Sequence, residues 1–134
     1  MAGTNRKGKL VQKITMDELR FFAYHGFYPE EQVTGNTFFV SVSISFPLAE
    51  FRKEEDQDDL NKTINYETVY DIINSEMSIA RKLLETVCQC ILQKIIDEFH
   101  YVEDVEVAIR KSSLPFGNEH VNASVFLKWS KENC

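Results

Sequence analysis

The chain has 134 residues, 43% of them hydrophobic and 12% aromatic, and its formal net charge is −6. This length is typical of one domain with a full apolar core, which needs no disulfide staple. The negative charge disfavours nucleic acid as a partner, and the sequence has no run of about 18 apolar residues that would span a membrane.

The amino-terminal segment Met1–Lys13 is polar and basic and lacks the apolar stretch of a signal peptide. We therefore expect residues 1–12 to form a flexible tail, residues 13–130 to form a single domain, and the protein to be cytoplasmic. The acidic run at residues 50–59 is typical of a solvated loop.

Three cysteines are present: Cys88, Cys90 and Cys134. An odd count without an export signal argues against a disulfide framework. Cys88 and Cys90 lie in a helical pattern, where a spacing of two directs the side chains about 200° apart. We predict no metal site there, and we place Cys88 on the apolar face of the helix.

The first half of the chain predicts two strands. Ile14–Tyr24 is rich in β-favouring residues and is followed by a loop at Tyr28–Gly35, which is marked by proline and glycine. Thr37–Phe46 alternates strictly, and its apolar positions from Phe38 onward should face the core. The two strands should pair as an antiparallel hairpin.

The second half predicts two helices followed by two strands. Apolar residues recur at helical spacing from Val69 to Met77 and again from about Arg81 to Phe99. Strands follow at Val102–Arg110 and Val121–Trp129, separated by a loop at Ser112–His120. The order is strand, strand, helix, helix, strand, strand. It predicts an α+β fold, in which a four-stranded antiparallel sheet carries both helices on one face. Its two open edges make a homo-oligomer plausible.

Four polar residues lie where chemistry could be placed, and each also has an ordinary explanation. Glu85, in the first turn of the second helix, could simply stabilise the helix dipole, or it could bind the N–H edge of a flat heterocycle. Lys111, at a strand end, is either solvated or a general base, for which a lysine needs burial or nearby positive charge. Tyr66 could pack in the core or pass a proton. Glu31 is either a surface loop acid or a ligand for hydroxyl groups.

The histidines give a weaker signal. His25 is the only one next to a strand end, and a lone histidine is more often a packed or surface residue than a ligand. His100 and His120 lie far from it in sequence and show no zinc-binding spacing. The sequence therefore predicts no metal ligands.

Four short stretches occur together in one order: YHGFYPEE at 24–31, TINY at 63–66, LLE at 83–85 and IRK at 109–111. In combination they resemble the dihydroneopterin aldolase family, and the resemblance covers nearly the whole chain from Ile14 to Trp129. One departure is the stretch after the lysine, SSLPFG, where the family often has proline sooner. This departure bears on substrate preference.

The resemblance implies a tunnelling fold, a homo-tetramer or stacked homo-octamer, and active sites between subunits. By this analogy Glu85, with the Leu84 backbone, holds the amide edge of a pterin, and Glu31 binds side-chain hydroxyls. Lys111 acts as general acid and base, and Tyr66 comes from the neighbouring subunit to stack on the substrate or to move protons. The implied reaction is a retro-aldol cleavage in folate biosynthesis that uses neither a metal nor a cofactor.

Three alternatives remain open at this point. An epimerase of the same fold would act on dihydroneopterin or its triphosphate, although no basic cluster for a triphosphate is evident. A zinc enzyme of the same superfamily conflicts with the histidine placement. A non-catalytic pterin-binding module would leave all four residues with structural roles.

Overall fold

The computed structural model describes residues 6–47, 64–116 and 119–132. The elements in chain order are β1 (Val11–Ala23), α1 (Pro29–Thr34), β2 (Asn36–Pro47), α2 (Tyr66–Met77), α3 (Leu84–Glu98), β3 (Asp104–Phe116) and β4 (Glu119–Ser130). The strands form one antiparallel sheet in the order β1-β2-β3-β4. The predicted α+β class is confirmed. The acidic run at 50–59, Thr63, Gly117 and Cys134 lie outside the described residues.

The core lies between one face of the sheet and helices α2 and α3. On β2 the apolar positions are at most 2% exposed: Phe38, Val40, Val42, Ile44 and Phe46. The intervening serines are half-buried on the other face. The alternation predicted from the sequence is therefore confirmed, because a strand presents successive side chains to opposite faces.

The two long helices bury one stripe each against this face. The buried apolar positions are Val69, Ile73 and Met77 on α2 and Val87, Cys88, Ile91 and Ile95 on α3. Both stripes follow the helical period, so each helix packs a single side against the sheet. Cys88 is fully buried, as predicted, and Cys90 is half-buried.

The loop predicted at Tyr28–Gly35 contains a short helix, α1, and this prediction is corrected. Pro29 stands at the first helical position, where its missing N–H costs nothing. The helix ends at Gly35, which adopts φ 74° and donates its N–H to the Glu31 carbonyl at 2.9 Å. Such a φ is accessible mainly to glycine. The segment is too short to show a helical period in the sequence.

The loop predicted at Ser112–His120 is also wrong, because β3 and β4 extend through most of it. Pairing with β2 stops at Phe38 and Lys111, whereas pairing with β4 continues to Phe116. Beyond Lys111, one side of β3 therefore has no strand partner among the described residues. A proline, which lacks an N–H, is tolerated on such an edge, and Pro115 lies there.

Two further boundaries differ from the sequence predictions. β1 begins at Val11, which pairs with Pro47, so residues 11 and 12 belong to the sheet rather than to the tail. Helix α3 begins at Leu84 rather than near Arg81, because the Arg81 backbone groups bind the loop after β1. No helix among the described residues is long and apolar enough to cross a membrane.

Candidate active site

Lys111 lies on the helix-covered face of the sheet, at its end. Its Cα pairs with that of Phe38, and directly opposed residues of antiparallel strands project to the same face. Phe38 is fully buried, so the Lys111 stem begins beside the core. The side chain is only 12% exposed. Lys111 is therefore not the solvated strand-end lysine that the sequence also allowed.

Glu31 meets Lys111 from the short helix α1. One carboxylate oxygen accepts a hydrogen bond from the Lys111 ammonium, and the other accepts the Tyr28 N–H at 3.3 Å. The hydrogen bond from Lys111 and the Tyr28 N–H lower the pKa of the Glu31 carboxyl below its ordinary value of 4.5, against a smaller opposing effect of burial. The two residues form a half-buried ion pair, 80 positions apart in sequence.

Leu84 and Glu85 lie in the first turn of α3, at the same end of the sheet. The short turn at 99–103 joins α3 to β3, so the two run antiparallel, and Cys88 Sγ lies 4.0 Å from the Val107 carbonyl. The start of α3 therefore points toward the Lys111 end. Leu84 is half-buried against the core, and Glu85 is exposed.

Tyr66 lies at a different level of the sheet and does not meet these residues. It is 56% exposed and lines, with Met16 and Tyr70, a surface depression of about 290 Å³ over the edge strand β1. Met16 pairs with Val42, four positions along β2 from Phe38. At about 3.3 Å per residue, Met16 lies roughly 13 Å along the strands from the level of Phe38 and Lys111, and β1 is two strands away from β3. Within one chain, Glu31 contacts Lys111, Leu84 and Glu85 lie at the same end of the sheet without a recorded contact to that pair, and Tyr66 stands apart.

The family model for dihydroneopterin aldolase (FolB) matches residues 14–127. The chain belongs to the dihydroneopterin aldolase family. Membership makes it a lyase and confirms both the resemblance and the enzyme class expected from the sequence.

Named relatives and solved structures agree with this assignment. Dihydroneopterin aldolase of Streptococcus pyogenes serotype M6 is 28% identical over 119 residues, covering 88% of this chain and 98% of the relative. The E. coli dihydroneopterin aldolase in complex with neopterin superposes with a TM-score of 0.74 at 18% identity, covering 89% and 99% of the two chains. The Burkholderia thailendensis enzyme bound to guanine gives 0.72 at 15% identity, covering 91% and 93%. These two structures confirm the tunnelling fold.

Possible metal ligands are the next feature of the candidate site. Within residues 6–47, 64–116 and 119–132, no three His, Cys, Asp or Glu side chains are grouped as metal ligands would be. Glu31 is engaged by an ammonium and a backbone N–H, which is the environment of an ion pair.

His25 is a packed residue, which is one of the two ordinary roles that the sequence analysis gave for a lone histidine. It is 1% exposed, its ring packs against Phe38 with centroids 5.3 Å apart, and its Nδ1 accepts the Arg81 N–H at 3.2 Å. Burial, and then the charge of Arg81, lower the pKa of His25 to about 4, so the ring is neutral at pH 7. His25 lies two positions after buried Ala23, so it continues the inward-facing side of β1. This spacing is the feature of the sequence that could have predicted its burial.

Proposed function

We propose that the protein cleaves 7,8-dihydroneopterin into 6-hydroxymethyl-7,8-dihydropterin and glycolaldehyde by a retro-aldol reaction, without a metal or cofactor, in folate biosynthesis. The observation that carries the proposal is the half-buried Lys111–Glu31 pair, held at the end of the sheet toward which Glu85 also lies. In this proposal the proton-transfer group, the hydroxyl ligand and the ring ligand come from three separate elements, β3, α1 and α3.

The ring subsite would lie at the start of α3. The Glu85 carboxylate would accept two N–H bonds from the pterin amide edge, and charged bonds of this geometry are stronger than neutral ones. The backbone at Leu84 would add a further hydrogen bond. The E. coli enzyme is in complex with neopterin and the Burkholderia thailendensis enzyme is bound to guanine, and both ligands are flat nitrogen heterocycles.

The substrate side chain would extend toward Glu31 and Lys111. Its hydroxyls can replace the ammonium as hydrogen-bond partners of the Glu31 carboxylate. The amine is then free to exchange protons with the substrate, and well-placed proton transfer contributes typically 10²- to 10⁴-fold to a rate. The ion pair of the free chain would thus hold Lys111 in place until substrate arrives.

The reaction balances without an added electron acceptor. Lys111 and Tyr66, through water, remove the proton of the 2′-hydroxyl. The bond between the first and second side-chain carbons breaks, and the aldehyde leaves. The electron pair enters the ring imine next to the breaking bond and forms an enamine. A proton then returns to the first carbon. The protein has only to orient the substrate and move protons.

A complete site would need a second chain to supply Tyr66. Strands β1 and β4 are the edges of the sheet, Tyr66 lies over β1, and Lys111 lies one strand inside β4, opposite Ala123. Joining β4 of one subunit to β1 of the next, in a tetramer or stacked octamer, would hide both edges and bring the two residues closer. This assembly, a single domain that includes all of β1, and a cytoplasmic location complete the proposal.

The primary experiment incubates the pure protein with 7,8-dihydroneopterin and measures glycolaldehyde and the released pterin. Lys111→Ala should abolish most turnover while pterin binding is kept, and Lys128→Ala, on the opposite face of the sheet, is the matched control. An epimerase would give mainly the stereoisomer, and a binding module would give no product. Near-normal turnover by Lys111→Ala would disprove the assigned role.

Mixing two inactive variants tests the shared site. When Tyr66→Phe and Lys111→Ala subunits are unfolded together and reassembled at equal amounts, about a quarter of the sites regain both intact residues if the residues come from neighbouring chains. Activity should recover accordingly. If both residues served one chain's own site, every mixed site would lack one of them, and no activity would return.

A further inference from the structure

Two loops at the candidate site are joined through the backbone of one residue. The Gly26 N–H donates to the Arg81 carbonyl at 3.0 Å, and the Arg81 N–H donates to His25 Nδ1 at 3.2 Å. Gly26 follows β1 and leads into α1, whereas Arg81 lies in the link between α2 and α3. The pair of bonds therefore ties the segment that carries Glu31 to the segment that leads into Glu85.

Arg81 is itself fixed to the end of α2. Its guanidinium donates to a Glu76 carboxylate oxygen at 2.8 Å and to the Glu76 carbonyl at 3.1 Å. Glu76 is only 4% exposed, and a buried carboxylate with a hydrogen-bonded partner is a rigid anchor. The backbone groups that bind His25 and Gly26 thus belong to a residue whose side chain is fixed independently.

Among the described residues, the segment that carries Glu31 is held at its far end by Gly35, which leads into β2, and at its near end by Gly26. Helix α1 has no buried residue. Its contacts with the rest of the chain include the Gln32 side chain, which donates to the Gly26 carbonyl at 3.0 Å, and Glu31 itself. A Cβ on Gly26 would overlap the Glu31 side chain, so the two residues are in direct contact. The position of the Glu31 carboxylate therefore depends on where Gly26 is held.

A histidine is an unusual residue at a buried site where the side chain has only a packing role. Because Nδ1 accepts the Arg81 N–H, a neutral ring carries its proton on Nε2, and this buried nitrogen has no partner among the described residues. A buried polar group without a partner is destabilising. An apolar side chain would fill the site beside Phe38 without that cost, but it would offer no acceptor to Arg81.

We propose that His25 is a positioning residue of the candidate active site: by accepting the Arg81 N–H it fixes Gly26 and, through Gly26, holds Glu31 against Lys111. This inference rests on the proposed function for its kinetic consequence, but not for its structural one. Helix α3, and with it Glu85, is held by its own core contacts. Loss of the His25 bond should therefore disturb Glu31 more than the ring subsite.

The test compares two polar replacements that differ in where they place an acceptor. In His25→Asn the amide oxygen can reach the Nδ1 position, whereas in His25→Gln the longer side chain extends toward the Nε2 position. For His25→Gln we expect kcat to fall roughly 10- to 100-fold, since small misplacement of a reacting group has effects of this order. KM should change less than about 3-fold, because ground-state binding of the ring is retained. His25→Asn should stay close to the unmodified protein.

A second measurement needs no enzymatic activity. Carbon-13 NMR titration of the Glu31 carboxyl should show its lowered pKa in the unmodified protein and in His25→Asn, and a rise toward the ordinary value of 4.5 in His25→Gln. Amide exchange at Arg81 and Gly26 should quicken in His25→Gln alone. His100→Gln, at an exposed histidine, is the surface control.

The outcomes separate this inference from the proposed function. Equal loss of kcat in both variants, or an unchanged Glu31 titration in His25→Gln, would overturn the positioning role. Absence of glycolaldehyde from the unmodified protein would overturn the aldolase reaction, while the Glu31 titration would still decide whether His25 holds the pair.

Discussion

Replacing Glu31 and Lys111 singly and together measures how strongly the two side chains interact. The Lys111 side chain is 12% exposed and that of Glu31 is 31% exposed. Exposed ion pairs typically contribute 0–1 kcal/mol, whereas hydrogen bonds to charged groups contribute about 1.5–3 kcal/mol. Because the ammonium is mostly buried and the carboxylate only partly so, we expect a coupling free energy of about 1.5 kcal/mol at pH 7.

The coupling should depend on pH in one direction. Lys111 lowers the pKa of the folded Glu31 carboxyl below 4.5, so the folded protein releases this proton more readily than the unfolded chain does. The contribution to stability is then fully present above pH 4.5. It is lost as the pH falls through the lowered pKa, because the protonated carboxyl no longer binds the ammonium as an ion.

Urea unfolding of four proteins at one protein concentration provides the measurement: the unmodified chain, Glu31→Gln, Lys111→Met and the double variant. Glu30→Gln is the matched control, since Glu30 is the other acid in the first turn of α1 and is exposed. Its stability should be unchanged within error. A coupling near zero at pH 7, or one that grows on acidification, would refute the half-buried ion pair.

Three further outcomes follow from the same geometry. Glu85→Ala should weaken pterin binding by roughly 10- to 100-fold, as loss of a charge-assisted pair typically does, and calorimetric titration with neopterin checks this. Gly26→Ala should lower kcat and raise the pKa of the Glu31 carboxyl, because the new methyl group displaces the Glu31 side chain. Burial raises the pKa of the Cys88 thiol to about 12, so at pH 8 an alkylating reagent should modify half-buried Cys90 first and Cys88 only on unfolding, as read by mass spectrometry.

The sheet and the two long helices could be predicted because their burial is periodic. The period of two from Phe38 to Phe46 and the helical stripe from Val87 to Ile95 each encode a single buried face. Where burial is not periodic, prediction failed. Helix α1 buries no residue, and the extension of β3 past Lys111 depends on pairing with β4, which no local pattern in the sequence records.

The candidate site was only partly predictable, for a related reason. Glu31, Glu85 and Lys111 were named by their place in three of the four short stretches, but the contact between Glu31 and Lys111 depends on the strand register that sets Lys111 opposite Phe38. The contribution of Arg81 could not be read at all, since its backbone N–H and carbonyl are the groups that bind His25 and Gly26. Backbone hydrogen-bonding groups are the same in nearly every residue type, so a contact formed by them cannot be predicted from the sequence.

Because Tyr66 is separated from Lys111 within one chain, the proposed reaction depends on the assembly of subunits. Tyr66 stands over the edge strand β1, two strands from the strand β3 that carries Lys111, whereas a phenol and an amine that share a proton lie about 2.6–3.2 Å apart. Either Tyr66 has no part in the reaction, or a second chain delivers it. An uncovered edge is costly to leave exposed, so the same contact that hides β1 and β4 would also complete the proton relay. Catalysis and oligomerisation would then depend on one interface, and a variant that breaks the edge contact should lose both together.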